Sequence, residues 1–131
     1  VIVDSSALIA ILLREPEWES LVDHLVTGDD PAGVGAPTLA ETGIVLTSRL
    51  GLQGRTLLAR LRDEAGLRVL PFTDDHSSLA VDAYRRFGKG RHPAALNFGD
   101  CMTYAIARLA REPLLCVGDD FAQTDLPLVS V

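Results

Sequence analysis

The sequence predicts a single α/β domain built on a mostly parallel sheet, and three observations carry that expectation. Short β-branched apolar segments alternate with longer segments whose apolar residues recur at helical spacing, the pattern of strands joined by helical crossovers. The length of 131 residues is that of one ordinary domain, able to bury roughly two-thirds of its unfolded surface without a disulfide or structural metal. No internal repeat, linker or low-complexity tract divides the chain, so residues 1–131 read as one unit.

The elements follow in order. Val1-Ile2-Val3 is a β-branched run that stops at Asp4, and Ser5–Leu13 is too long and apolar for a strand, so it reads as a buried helix. Pro16 stands where a second helix can begin, with Trp18, Leu21, Val22 and Leu25 on its inner face and Gly28 at its end. Asp29-Asp30-Pro31 is a turn. Val34-Gly35-Ala36 is a weak strand, followed by a helix from Thr38 to about Leu50 that Gly51 stops. Leu57, Leu58 and Leu61 mark another helix up to Gly66, and Leu67–Leu70 a strand. Thr73 caps a helix through Phe87. After a glycine-rich basic loop, Gly88–Pro93, Asn97 opens a helix reaching Arg111, and Pro113 marks the break. Leu114–Val117 is a strand ending at Gly118-Asp119, and Leu128–Val131 a last one.

Composition narrows the function classes. No apolar stretch approaches the ~20 residues of a membrane helix, and no secretory signal pattern opens the chain. Two cysteines, Cys101 and Cys116, without CxxC spacing read as reduced thiols of a cytoplasmic protein. The net charge of −6 argues against binding nucleic acid through the overall field of the protein. Any phosphate attraction must be local, and a cluster of acids loaded with divalent cations would present positive charge to a substrate.

Such a cluster is legible. In open α/β sheets, ligands sit beyond the carboxyl ends of the strands. Asp4 and Asp119 each follow an apolar strand directly, while Glu41 and Asp100 lie near the starts of their helices. Four nearby carboxylates cannot all stay ionised without compensation, so they either hold protons or bind hard cations. Each acid also has a plainer reading. Thr38-Leu39-Ala40-Glu41 fits a capping box, Asn97-Phe98-Gly99-Asp100 has the same spacing, and Asp4 and Asp119 are acceptable turn residues.

Arg85, Arg86, Lys89, Arg91 and His92 form a basic patch in this acidic chain, readable as phosphate contacts or as a solvated helix end. Lys89 lacks a phosphate-loop pattern, Cys101 has no assignable activating partner, and Ser5 and Ser6 lack a nucleophile elbow.

Several motifs together resemble a known family. Val-Ile-Val-Asp-Ser-Ser-Ala-Leu at 1–8 resembles the opening of PIN-domain nucleases, and within them the VapC-type toxins of bacterial toxin–antitoxin pairs. Thr38–Glu41 resembles their second acidic motif, Gly88–Cys101 a long block of one branch, and Gly118-Asp119-Asp120-Phe121 with Gln123-Thr124-Asp125 its closing motif. The resemblance spans nearly the whole chain and implies a PIN-like, Rossmann-like sheet of about four to five strands flanked by helices. It implies endonucleolytic cutting of structured RNA, such as tRNA or ribosomal RNA, with Mg²⁺ or Mn²⁺. A VapB-type antitoxin and a homodimer are the implied protein partners. Asp4, Glu41, Asp100 and Asp119 take the metal-binding and catalytic positions; Ser6 and Asn97 take supporting ones. Asp120 competes with Asp119 for the fourth place, and Asp120 or Asp125 can assist through water or hydrogen bonds. Lys89 and Arg91 are the candidate RNA contacts.

Two other functions fit an acid at a strand end. A phosphatase of the haloacid-dehalogenase type would need a second aspartate two residues after Asp4, where Ser6 stands. A catalytically inactive binding module on the same fold would retain the acids without metal-dependent behaviour. Apolar residues around Trp18 and Leu50–Leu61 exceed what one sheet can cover and suggest a self-association surface.

Overall fold

The computed structural model describes residues 1–131. Four short strands, β1 (Ile2–Val3), β2 (Gly33–Gly35), β3 (Arg68–Leu70) and β4 (Leu114–Leu115), form one sheet in the order β3-β2-β1-β4. Every pairing is parallel. Six helices join them: α1 (Ser5–Leu12), α2 (Trp18–Val26), α3 (Ala36–Leu50), α4 (Leu52–Ala65), α5 (Asp74–Phe87) and α6 (Phe98–Ala110).

Strand residues alternate between two cores, as the period of two requires. Ile2 and Leu114 face a cluster built with α5 and α6, around Phe87, Tyr104 and Ile106. Val3, Val34 and Leu115 face a second cluster with α1 and α2, around Leu8, Leu21 and Leu25. Both faces of the sheet are covered, which is why its strands read as unbroken apolar runs. The chain winds outward from β1 to β3 and then returns to β4 on the other side of β1. The direction of winding therefore reverses between β1 and β4, and the crevice beyond the carboxyl ends of those two strands is the usual ligand position.

Several boundaries differ from the sequence reading. The strand expected at Val34–Ala36 is Gly33–Gly35, and the helix after it begins at Ala36 with Gly35 as its N-cap. Pro37, fixed near helical φ, suits that first turn. The second helix starts at Trp18 rather than at Pro16, because Glu17 takes a left-handed conformation (φ 71°). The fourth helix begins as early as Leu52. The last expected strand, Leu128–Val131, reduces to one bridge, Leu114 to Leu128. Its backbone pairs through Leu114 N–H to Pro127 O and Val129 N–H to Leu114 O, both 2.9 Å. It goes no further because β4 is only two residues long and the chain then turns away into the Gly118 loop.

Candidate active site

Asp4 stands at the reversal point. Its N–H donates to Leu115 O at 2.9 Å, and it caps α1. The side chain is 4% exposed, so it must be satisfied by the protein. Oδ2 accepts the Ser6 N–H (3.1 Å) and the Ser6 hydroxyl (2.7 Å); Oδ1 accepts the Thr103 hydroxyl (2.9 Å). Ser6 Oγ in turn accepts the Val117 N–H at 3.0 Å, tying the loop after β4 to the first acid.

Thr103 lies on α6 and meets Thr38 of α3 at 3.0 Å between hydroxyl oxygens. The two helices approach the sheet closely enough for this because Gly35, at the end of β2, has no side chain: a Cβ there would lie 2.6 Å from Ile106 Cγ1. Sequence reasoning missed Thr103. The available signal was a threonine one helical turn beyond Asp100, on the same helix face.

Asp100 sits in the first turn of α6, as expected, and forms a reciprocal cap with Asn97. The Asn97 N–H donates to Asp100 Oδ2 (3.0 Å) and the Asp100 N–H to Asn97 Oδ1 (2.9 Å). Burial pushes the Asp100 carboxyl up to about 6; the Asn97 hydrogen bond opposes this, while the charges of Asp4, Asp120 and Glu41 add to it. The charges of those three acids therefore act together on Asp100.

Glu41 is not a capping residue. Because α3 starts at Ala36, Glu41 falls in its second turn, and its carboxylate lies directly over Gly99. A side chain at 99 would push the flexible end of Glu41 aside, so glycine there lets that carboxylate rest beside Asp100.

Asp119 and Asp120 are both exposed on the loop after β4, which the buried ring of Phe121 anchors. The charge of Asp120 acts on Asp100 and on Cys116; Asp119 is not among the groups that act on either. Burial, with Asp4 and Asp120, raises the Cys116 thiol to about 11, and burial with Asp100 raises Cys101. Both cysteines are free, and neither has the depressed pKa of a nucleophile.

Asp125 goes elsewhere. It accepts the Tyr104 hydroxyl at 2.7 Å and pairs with Arg86 (3.2 Å) and Arg108 (3.7 Å). Of the basic patch, Arg85 is paired with Asp82 at 2.7 Å and Arg86 with Asp125. Lys89 and Arg91 are exposed and pair with no acid, and the Arg91 guanidinium lies 5.5 Å from the centre of the Tyr84 ring. His92 holds its own loop: Nδ1 accepts the Ala94 N–H at 3.0 Å, and the ring meets Phe87 edge-on.

No arginine or lysine pairs with Asp4, Glu41, Asp100, Asp119 or Asp120. The donor set is all oxygen, on separate elements, with an excess of negative charge, which suits a hard divalent ion such as Mg²⁺. No three acidic, histidine or cysteine side chains form a ready-made metal cage. Mg²⁺ does not need one, since it is usually held by one or two carboxylates and otherwise by water.

The model of the PIN domain matches residues 1–126. Ribonuclease VapC36 of Mycobacterium tuberculosis is 52% identical over 126 residues, 96% of this chain and 91% of the relative. Among solved structures, M. tuberculosis VapC20, described as a sarcin-ricin loop cleaving toxin, superposes with a TM-score of 0.79 over 99% of this chain and 98% of that one, at 19% identity. VapBC2 of Rickettsia felis, solved with a DNA fragment from its promoter, gives 0.77 over 98% and 96%, at 11% identity. The structural likenesses speak for the fold; the family model and the close relative place the sequence: the chain belongs to the PIN-domain family, in its VapC branch.

Proposed function

We propose that this chain is a magnesium-dependent endoribonuclease acting as the toxin of a toxin–antitoxin pair on structured RNA in the cytoplasm. The observation that carries it is a group of acids from four distant parts of the chain, whose charges act together on Asp100 and with which no arginine or lysine pairs. The VapC relatives, named as ribonucleases, support the reaction class.

Asp4, Glu41 and Asp100 hold the cation, with the fourth place taken from the Asp119-Asp120 pair. The charge that Asp120 exerts on Asp100 favours Asp120 over Asp119, the first acid after the strand. When bound, Mg²⁺ supplies an activated water and stabilises the leaving oxygen of the phosphodiester. Asn97 orients Asp100, Ser6 orients Asp4, and Lys89 and Arg91 hold RNA phosphates on the approach to the site. Mn²⁺ substitutes for Mg²⁺ with the same donors.

A VapB-type antitoxin is the natural partner. The likeness to the VapBC2 assembly supports this, and an arginine from the antitoxin would compensate the uncompensated acids. A homodimer is supported by Ile44 (71% exposed) and Leu52 (81%), apolar side chains that nothing in the chain covers on α3 and α4.

The decisive experiment measures RNA cutting by the purified chain with and without chelator, and by Asp100→Asn, which removes charge at nearly constant shape. Several kcal/mol of charge stabilisation corresponds to a loss of about a thousandfold, with the fold intact by circular dichroism. Full cutting in excess chelator would sink the proposal.

A further inference from the structure

We propose that Thr103, seated by Thr38, is a positioning residue that leaves Asp4 one free lone pair, on Oδ1, and aims it at the cation. The inference rests on the reading of Asp4 as a cation ligand. A carboxylate has about four acceptor sites, two on each oxygen. Both sites on Oδ2 are taken by Ser6, through its N–H and its hydroxyl. One site on Oδ1 is taken by Thr103. Asp4 can therefore offer a cation a single direction, on the oxygen that Thr103 holds.

The hydroxyl of Thr103 has one proton, and an ionised carboxylate can only accept it. The contact between the two threonine oxygens must then run from Thr38 as donor to Thr103 as acceptor. Thr38 thus locks the rotor of Thr103. Asp4, Thr103 and Thr38 are 4%, 1% and 2% exposed, so water does not compete for these bonds.

The relay also joins three of the four parts of the chain that carry the acids. Thr38 lies one helical turn before Glu41 on α3, and Thr103 one turn after Asp100 on α6, so each shares a face with its acid. A purely packing role would be met equally by valine, which has the same shape.

The test follows Mn²⁺ binding to the purified chain by calorimetry, beside thermal melting. Thr103→Val should weaken Mn²⁺ binding by about 10- to 100-fold, the range for groups that orient metal ligands. Thr103→Ser should restore most of it, and excess Mn²⁺ should restore RNA cutting by the valine variant. Thr38→Val should lose affinity in the same direction, by less. A folded Thr103→Val with wild-type affinity, while Asp4→Asn loses Mn²⁺, overturns the positioning role alone. An Asp4→Asn variant that binds as wild type overturns the ligand reading and the relay with it. Should Thr103→Val not fold, unchanged affinity in Thr38→Val overturns the relay.

Discussion

Two groups of acids sit against the same helix and are treated in opposite ways. Tyr104 of α6 reaches Asp125, whose carboxylate is also met by Arg86 and Arg108, while Asp82 takes Arg85. Burial alone would raise Asp125, but the hydrogen bonds from Tyr104 and Arg86 and the charges of both arginines outweigh it and hold its carboxyl below the usual range. One residue earlier, Thr103 reaches Asp4, and the acids around it receive no basic side chain at all. Burial and neighbouring charges lift Asp100 to about 6. The chain has 12 lysines and arginines and places none at the second group, so compensation there has to come from outside. The first group is a clamp that holds the chain together; the second is a cost to stability that a bound cation would offset.

Within this comparison the largest effect tests which loop acid belongs to the uncompensated group. Asp120→Asn should lower RNA cutting by about a hundredfold, on the scale of losing one charge-stabilising group, and Asp119→Asn by much less. Equal losses would mean that the loop presents both acids to the site. Next comes the clamp. Tyr104→Phe takes the neutral donor from the solvent-accessible Asp125 carboxylate, which keeps both arginines, and should cost about 1 kcal/mol in denaturant unfolding, with Mn²⁺ affinity near wild type. A loss of metal binding equal to that of Asp4→Asn would show that the two groups are one.

A smaller effect concerns pH. The folded pKa of Asp100, about 6, lies above the unfolded value near 3.8, so folding favours its protonated form. Its contribution to stability is fully present below about pH 4 and is lost as pH rises through 6. In chelator, Asp100→Asn should therefore stabilise the chain at pH 7 by about 1 kcal/mol, after allowance for the solvent screening of a partly exposed group, and by little at pH 4. Divalent cation should reverse the order of the two proteins at pH 7. A destabilised Asp100→Asn in chelator at pH 7 would mean that its cap on Asn97 outweighs the repulsion.

The smallest effect belongs to the basic loop. Arg91 pairs with no acid, so Arg91→Ala should leave the melting temperature unchanged. It should reduce the salt slope of RNA binding by roughly one, the amount for one phosphate contact. An unchanged slope would remove Arg91 from the RNA surface.

How much of this could be read from the chain follows from whether the signal is local. Asp4 was legible because a β-branched run ends on it, and a strand end in a parallel sheet is where ligands sit. Asn97 and Asp100 were legible as a cap because capping involves residues three apart. The same local rule misread Thr38–Glu41. The spacing fits a capping box with Thr38 as the cap, yet the cap is Gly35, three residues earlier, which turns Thr38 inward and moves Glu41 into the second turn. Asp125, taken with the site acids from its place in the closing motif, meets Arg86 from a helix 39 residues away.

By itself, then, the sequence determined the alternation of strands and helices, the acids at strand ends and helix starts, and the motifs that mark the family. These depend on periodicity and on residues a few positions apart, which the chain carries locally. Only the tertiary structure decided which acids are compensated and which are left bare. It also decided that Thr103, 99 residues from Asp4, holds that carboxylate, and that Glu41 rests on the bare backbone of Gly99. Those contacts arise where α3 and α6 close over the end of β1, and a threonine inside a helix carries no mark of the partner that packing will bring to it.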